Sequence, residues 1–330
     1  VEKKHSLKNE APDLSKGTKL LGKWNKNPYY IRRTLGRGAT GAVYLADSRE
    51  GQVALKVGHN SMSITSEVNV LKHFAKVQGQ VLGPSLIDAD DITIAGRRYP
   101  FYVMEFLKGE TVFKHLDRHG KEWGPVLIVQ LLGDLDRLHR AGWVFGDLKP
   151  DNLIVVSPPY RIRWLDVGGT TLQGRAIKEY TEFFDRGYWG LGDRKAEPSY
   201  DLFAAAMILM NMIYKRQFDK GRDGQQTLTT HIDRAPELWP YRKWLKKALT
   251  GQFSDAQKMK QSLMNIISKE AKPVKRNPSF HQQQQKPQTL KKRGRKRGKT
   301  QKSTFGMLDG VLVIAFLLLA SALYWVGQLI

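Results

Sequence analysis

Val144-Phe145-Gly146-Asp147-Leu148-Lys149-Pro150-Asp151-Asn152 is the stretch on which the reading of the chain turns. Between Asp147 and Asn152 it gathers an acid, a lysine and an amide, with Pro150 fixing the turn between them. Transfer of a phosphoryl group needs such a set. One carboxylate orients the attacking hydroxyl and takes its proton, one ammonium neutralises charge on the moving group, and one side-chain amide helps to hold Mg²⁺. Asp147, Lys149 and Asn152 fit those roles. Alone, the stretch also reads as a polar turn between a helix and a strand, so its flanks decide.

Upstream, Tyr29-Tyr30-Ile31-Arg32-Arg33-Thr34-Leu35 reads as a strand from its aromatic and β-branched content. It runs into Gly36-Arg37-Gly38-Ala39-Thr40-Gly41-Ala42-Val43, a G-x-G-x-x-G-x-V pattern. A dinucleotide-binding glycine loop must open a helix. Here the next residues, Val43-Tyr44-Leu45-Ala46, are strand-like instead and end at the turn Ser48-Arg49-Glu50-Gly51. Strand, glycine loop, strand is a lid over nucleotide phosphates. Missing side chains at Gly36, Gly38 and Gly41 let backbone N–H groups approach. Val53-Ala54-Leu55-Lys56 then places one lysine on an apolar strand, as a point charge for the α- and β-phosphates. Glu67 is the one glutamate between Glu50 and Glu105 and lies among apolar residues at helical spacing, so Lys56 and Glu67 are expected to form a positioning ion pair. Ile92–Ile94 and Pro100–Leu107 read as two more strands around a turn at Gly96. The expectation is a mostly antiparallel sheet of about five strands with one helix. At its exit, backbone groups of Glu105 and Leu107 would face an adenine edge beside Met104.

Leu127, Ile128, Leu131, Leu132, Leu135 and Leu138 recur at three- and four-residue spacing, which predicts a helix from Pro125 to His139 leading into the opening stretch. Beyond it, Ile154–Val156 and Ile162–Leu165 predict a short hairpin that ends at Asp166-Val167-Gly168. An acid at a strand end beside a glycine can reach Mg²⁺ between the β- and γ-phosphates, so Asp166 is the second expected metal ligand. Farther on, Ala204–Tyr214, Trp239–Leu249 and Ala256–Ile267 read as helices.

Charge is unevenly spread. The chain holds 54 Lys and Arg against 31 Asp and Glu, a net +23, over 330 residues. From Ala271 onward there are twelve Lys or Arg and one acid, Asp309. A basic end of this kind points to anionic partners, nucleic acid or lipid headgroups. Without cysteine there is neither a disulfide framework nor a thiolate metal site. Val1 to Lys16 is charged and lacks an apolar core, so no signal peptide is expected there.

Gly36–Val43, Val53–Lys56, Leu138–Trp143 running into Asp147–Asn152, Asp166–Gly168 and Tyr200–Phe203 follow one another in the order found in bacterial Hanks-type Ser/Thr protein kinases, which the chain resembles over roughly residues 25–265. The resemblance implies an α+β, two-lobed protein-kinase-like fold, with ATP and Mg²⁺ (Mn²⁺ as a substitute) in the cleft and protein substrates. It divides the chain into a flexible lead-in at 1–22, an N-lobe at 23–107 and a C-lobe at 108–270. Two departures stand out. Phe145-Gly146 replaces the usual His-Arg before the catalytic Asp. That Arg normally pairs with a phosphate on the activation loop, so activity is expected not to depend on phosphorylation of Thr170, Thr171 or Thr181. The usual Ala-Pro-Glu terminus of that loop is also missing: Gly187-Tyr188-Trp189 stands roughly there, and Ala196-Glu197-Pro198 reads as a chance permutation. Asp201 is expected to brace the catalytic loop from the start of a helix. Gly146-Asp147 also resembles the kinase-like small-molecule phosphotransferases, although Lys149 and the complete glycine loop favour a protein substrate. A scaffold without catalysis is a further alternative, which the retained Lys56, Asp147, Asn152 and Asp166 oppose.

Residues 271–304 read as a disordered basic linker from their proline, glutamine and charge content. Val311 to Gly327 carries no charge. At about 1.5 Å per residue, 307–330 reaches roughly 36 Å, enough for a hydrocarbon core of about 30 Å. The expectation is a single-pass C-terminal transmembrane helix, a tail anchor in a bacterial cell membrane. The basic run beside it would keep the kinase domain cytoplasmic. That run, Lys291, Lys292, Arg293, Arg295, Lys296, Arg297 and Lys299, has three readings: a topology signal, a clamp for anionic lipid at about 1 kcal/mol per residue, or a DNA arm whose Gly-flanked arginines enter A·T minor grooves. The anchor and the basic linker together resemble a group of tail-anchored, DNA-responsive kinases of spore-forming bacteria. Oligomeric state is not legible.

Overall fold

Strict alternation of side chains along two strands sets up the first half of the molecule. In the computed structural model, which describes residues 11–38, 40–76 and 82–270, six antiparallel strands form one sheet. They are β1 (Lys19–Leu21), β2 (Pro28–Gly38), β3 (Gly41–Ser48), β4 (Gly51–Gly58), β5 (Leu86–Ile94) and β6 (Arg97–Glu105), in the order β1-β2-β3-β4-β6-β5. Val53, Leu55 and Val57 of β4 and Phe101 and Val103 of β6 point to one face, into a cluster with Tyr29, Ile31, Tyr44 and Ile92. The residues between them, Ala54 and Lys56, with Tyr102 and Met104, point to the other. There they meet helix α1 (Ser61–Phe74), which is capped by Asn60 through a bond from Met62 N at 2.8 Å.

The lead-in departs from expectation. Leu14 and Leu20 are buried in the outer cluster, Tyr44 Oη donates to Pro12 O at 2.6 Å, and β1 adds a sixth strand to the sheet. Two leucines isolated among charges carry no period, which is why this part of residues 1–22 read as flexible.

The remaining elements follow one very apolar helix. They comprise β7 (Gly109–Thr111), α2 (Val112–His119), α3 (Trp123–Arg140), β8 (Trp143–Val144), β9 (Leu153–Val156), β10 (Arg161–Trp164), β11 (Thr171–Leu172), α4 (Pro198–Tyr214), α5 (Gly224–Arg234), α6 (Arg242–Leu249) and α7 (Ala256–Glu270). Helix α4 is buried nearly all round, from Tyr200 to Met212, so its neighbours α3, α6 and α7 supply the polar surface. All six of the leucine and isoleucine positions expected to form the core face of α3 are fully buried. The helix expected from Trp239 begins as a 3-10 segment, Pro236–Tyr241, because Pro240 lacks an N–H; α6 starts only at Arg242.

Two small pairings bring the chemistry together. Strand β8 pairs with β11, Val144 opposite Thr171, and so closes the catalytic stretch against residues 166–170. The hairpin β9–β10 pairs Leu153 with Trp164, and Leu165 N donates to Asn152 O at 2.9 Å, so Asn152 and Asp166 emerge side by side from its open end. Among the described residues no helix is long and apolar enough to cross a membrane. The linker expected at 271–304, its basic run and the span expected at 307–330 lie outside the described residues.

Candidate active site

Lys56 stands between Val43 and Tyr102 in the sheet register. Its Nζ is 2.7 Å from Glu67 Oε2 and 3.6 Å from Asp166 Oδ1. Burial works to lower its pKa, but the charges of Asp166 and Glu67 prevail and hold the ammonium above its ordinary range. Tyr102 Oη donates to the same Glu67 oxygen at 2.7 Å. This third member was missed in the sequence, although the alternation of β6 puts Tyr102 on the Lys56 face.

Asp147 is clasped from three directions. Lys149 Nζ donates to its Oδ2 at 2.6 Å, Thr181 Oγ1 donates to its Oδ1 at 3.0 Å, and Lys149 also reaches Thr181 Oγ1 at 3.0 Å. Asn152 Nδ2 donates to Asp147 O at 2.7 Å and lies 3.3 Å from Oδ2, which leaves its carbonyl oxygen as the atom for a metal. Asp166 Oδ1 accepts from Gly168 N at 2.9 Å. Paired carboxylate and amide oxygens beside a buried lysine are a hard-cation and phosphate donor set, so the residues present fit Mg²⁺ and a triphosphate.

Asp201 braces the loop from below. Fully buried on α4, it accepts from Phe145 N at 2.8 Å, Gly146 N at 3.0 Å and His139 Nε2 at 2.9 Å. Phe145 fills space against Trp164, with ring centroids 5.0 Å apart. Gly146 has φ +85°, and a Cβ there would meet Gly169 O at 2.7 Å, so no other residue fits.

The glycine pattern splits into two uses. Gly36 pairs with Val43, and Gly38 with Gly41, at the tip of the β2–β3 hairpin. A Cβ on Gly36 or Gly38 would meet nothing, whereas one on Gly41 would lie 2.3 Å from Val57 O. Gly38→Ala is therefore expected to fold normally and raise KM for ATP about fivefold, the weight of one hydrogen bond of ~1 kcal/mol. Gly41→Ala is expected to destabilise by about 1–3 kcal/mol. Thermal unfolding with ATP titration separates the two. If both variants unfold alike, the division fails.

At the exit of the sheet, Met104 and Leu107 are buried, and Glu105 donates its N–H to Ser85 O at 2.9 Å, so only its carbonyl is left for an adenine edge. Burial works to raise the Glu105 pKa, yet hydrogen bonds from Arg163, at 3.0 Å, and Ser85 hold it below the usual carboxylate range.

The segment after Asp166 gave little warning of its contents. Thr170 and Thr171 are buried, and the Thr181 hydroxyl donates to Asp147. Ile177 packs with Val144, Ala196 and Tyr200, and its Cδ1 lies 3.6 Å from where a Gly146 side chain would begin. Ala196-Glu197-Pro198 proves to be the start of α4: Pro198 takes its first turn, and Glu197 stands 3.6 Å from Arg186. Trp189 is buried and donates to Phe183 O at 2.9 Å.

Glu179 brings a further carboxylate to this corner, although the residue is exposed. Burial first, then the charges of Asp166 and Asp147, push its pKa up against the pull of Lys56. A raised carboxyl pKa costs stability above the folded value and nothing below the unfolded one. Glu179→Gln should raise Tm by roughly 1–2 °C at neutral pH without Mg²⁺, and the gain should vanish below about pH 4. A gain that persists in acid would mean that packing, not charge, is responsible.

Comparison with known proteins gives the same picture. The protein kinase domain family matches residues 29–287. Serine/threonine-protein kinase YabT of Bacillus subtilis (strain 168) is 52% identical over 289 residues, covering 86% of each chain. Among solved structures, the Mycobacterium tuberculosis PknI kinase domain covers 77% of this chain and 100% of its own at a TM-score of 0.55 and 18% identity. Vaccinia related kinase 3 covers 78% of this chain and 92% of its own, at 0.59 and 16%. These two speak for the fold alone.

Proposed function

The chain belongs to the protein kinase domain family, and on that footing we propose a serine/threonine protein kinase that moves the γ-phosphoryl group of ATP, with Mg²⁺, onto protein hydroxyls. The observation that carries this is the clasp on Asp147. A threonine hydroxyl, Thr181 Oγ1, already reaches one of its oxygens, so a short aliphatic hydroxyl fits beside it. Mg-ATP supplies the activated phosphoryl group. Asp147 orients the incoming hydroxyl and accepts its proton. Lys149 places positive charge beside that carboxylate, where charge accumulates as the group moves. Lys56, held by Glu67 and Tyr102, is set for the α- and β-phosphates. Asn152 and Asp166 would hold the metal ion. Incubation of the full chain with labelled ATP and a mixed Ser/Thr peptide set should label peptides, and Lys56→Ala should not. Label on an aminoglycoside instead would move the enzyme to the small-molecule class, and no transfer at all would leave a scaffold.

The same proposal places the chain at a bacterial membrane through 307–330, with its basic run on the cytoplasmic side against anionic lipid or DNA. Its support is composition: an uncharged apolar stretch next to seven Lys or Arg between 291 and 299. Deleting residues 291–302 should flatten the log–log salt slope of DNA binding by about 0.9 per lost phosphate contact. An unchanged slope removes the DNA arm.

A further inference from the structure

Glu110, His115 and His119 converge where the chain leaves the hinge. Glu110 sits in β7, and the two histidines lie four residues apart on α2, so they share one face of the helix. Glu110 Oε1 is 3.0 Å from His115 Nδ1 and 3.8 Å from His119 Nδ1, and one ligand atom from each residue falls within 4.8 Å of the others. The imidazoles are stacked, with centroids 4.3 Å apart and planes at 28°. His115 is completely buried, and its Nε2 has no hydrogen-bond partner. His119 Nε2 lies 2.9 Å from Tyr160 Oη, and its Nδ1 is 3.1 Å from His115 O. Trp123 and Tyr160 close the sides. Arg118 Nη1 lies 3.0 Å from the other Glu110 oxygen as an ion pair without hydrogen-bond geometry.

We propose that Glu110, His115 and His119 form a binding site for a borderline divalent cation, zinc, separate from the Mg-ATP site. Two imidazoles and a carboxylate are a zinc donor set, with a fourth position left for water. Bonds of 2.0–2.1 Å in a tetrahedron need ligand edges of about 3.3 Å. The first pair is already near that value, and the third ligand needs a side-chain shift of about 1 Å to meet it. Without metal, His115 Nδ1–H donates to Glu110, and His119 Nδ1–H donates to the His115 carbonyl oxygen. On loading, each ring keeps one proton but carries it on Nε2, and that of His119 then faces Tyr160 Oη. Such an outer partner fixes a ligating ring. Strand β7 pairs with β9, which follows Asn152 directly, so zinc would staple α2 and the hinge exit to the strand that supports the catalytic loop.

The test uses the full chain in mild detergent with millimolar Mg²⁺ and a small excess of Zn²⁺ over protein, followed by dialysis and metal analysis, and Co²⁺ absorption as a second readout. One zinc per chain is expected, with Tm raised by roughly 5–10 °C at a hundredfold excess over Kd. Asp166→Asn should retain it, His119→Gln should lose it, and Tyr160→Phe should weaken it by about 10–100-fold. His119 is partly exposed, so its variant should fold even where His115→Gln does not, and the Tm of the metal-free protein checks this. Zinc retained by His119→Gln, zinc lost from Asp166→Asn, or no zinc at all would each overturn the site, the last leaving a hydrogen-bonded corner and nothing more.

Discussion

Asp147→Asn is expected to lower kcat by about 10²–10⁴-fold, the usual weight of a positioned general base, with Tm nearly unchanged. The substitution is isosteric, and the clasp can survive it. The amide oxygen still accepts from Lys149, and the amide nitrogen can donate to Thr181 Oγ1 in place of the reverse bond seen at 3.0 Å. What is lost is the ability to take a proton from the acceptor hydroxyl. KM for ATP should stay within about twofold, because Lys56, Glu67 and Asp166 are untouched. Steady-state kinetics on a peptide, with thermal unfolding alongside, measures both. A variant that transfers the phosphoryl group at the unaltered rate would remove Asp147 from the chemistry.

Asp201→Ala should carry the largest cost in stability, about 3–5 kcal/mol. The carboxylate is wholly buried and serves two backbone N–H groups and one imidazole. Alanine leaves all three without an acceptor, at roughly 1–3 kcal/mol for each group that water cannot reach. For a domain of this size that corresponds to a fall in Tm of roughly 10–15 °C. Activity measured well below the transition should fall as well, because Phe145 and Gly146 set the direction from which Asp147 enters the cleft. Asp201→Asn retains one acceptor oxygen and should recover part of both losses. If the alanine variant melted within 2 °C of the parent and kept its rate, the bracing role would be wrong.

Much of this site was legible because its chemistry is concentrated. Asp147, Lys149 and Asn152 lie within one turn, and Lys56 declares itself as a lone charge on an apolar strand. Glu67 was found by elimination and lies where elimination put it. Thr181 and Glu179 were not legible, because nothing in their local sequence separates them from other loop residues. Only the pairing of β8 with β11 and the path from 166 to 185 bring them to Asp147. The same limit hid β1, whose two buried leucines sit among charges, and α5, whose apolar face is just Leu228 and Ile232 on a polar background. Ala196-Glu197-Pro198 shows the opposite failure. The right residues were in view, but the order departed from the familiar pattern, and their place at the head of α4 was missed. The membrane span and the basic run rest on composition alone.

Ile177 lies against Gly146, packed with Val144, Ala196 and Tyr200, in the segment that joins Asp166 to Thr181. A hydrocarbon wedge is written into the gene; no other enzyme can fasten it on or strip it off. A hydrocarbon contact carries no charge, so its hold on the catalytic loop should not weaken with added salt as a pair of opposite charges would.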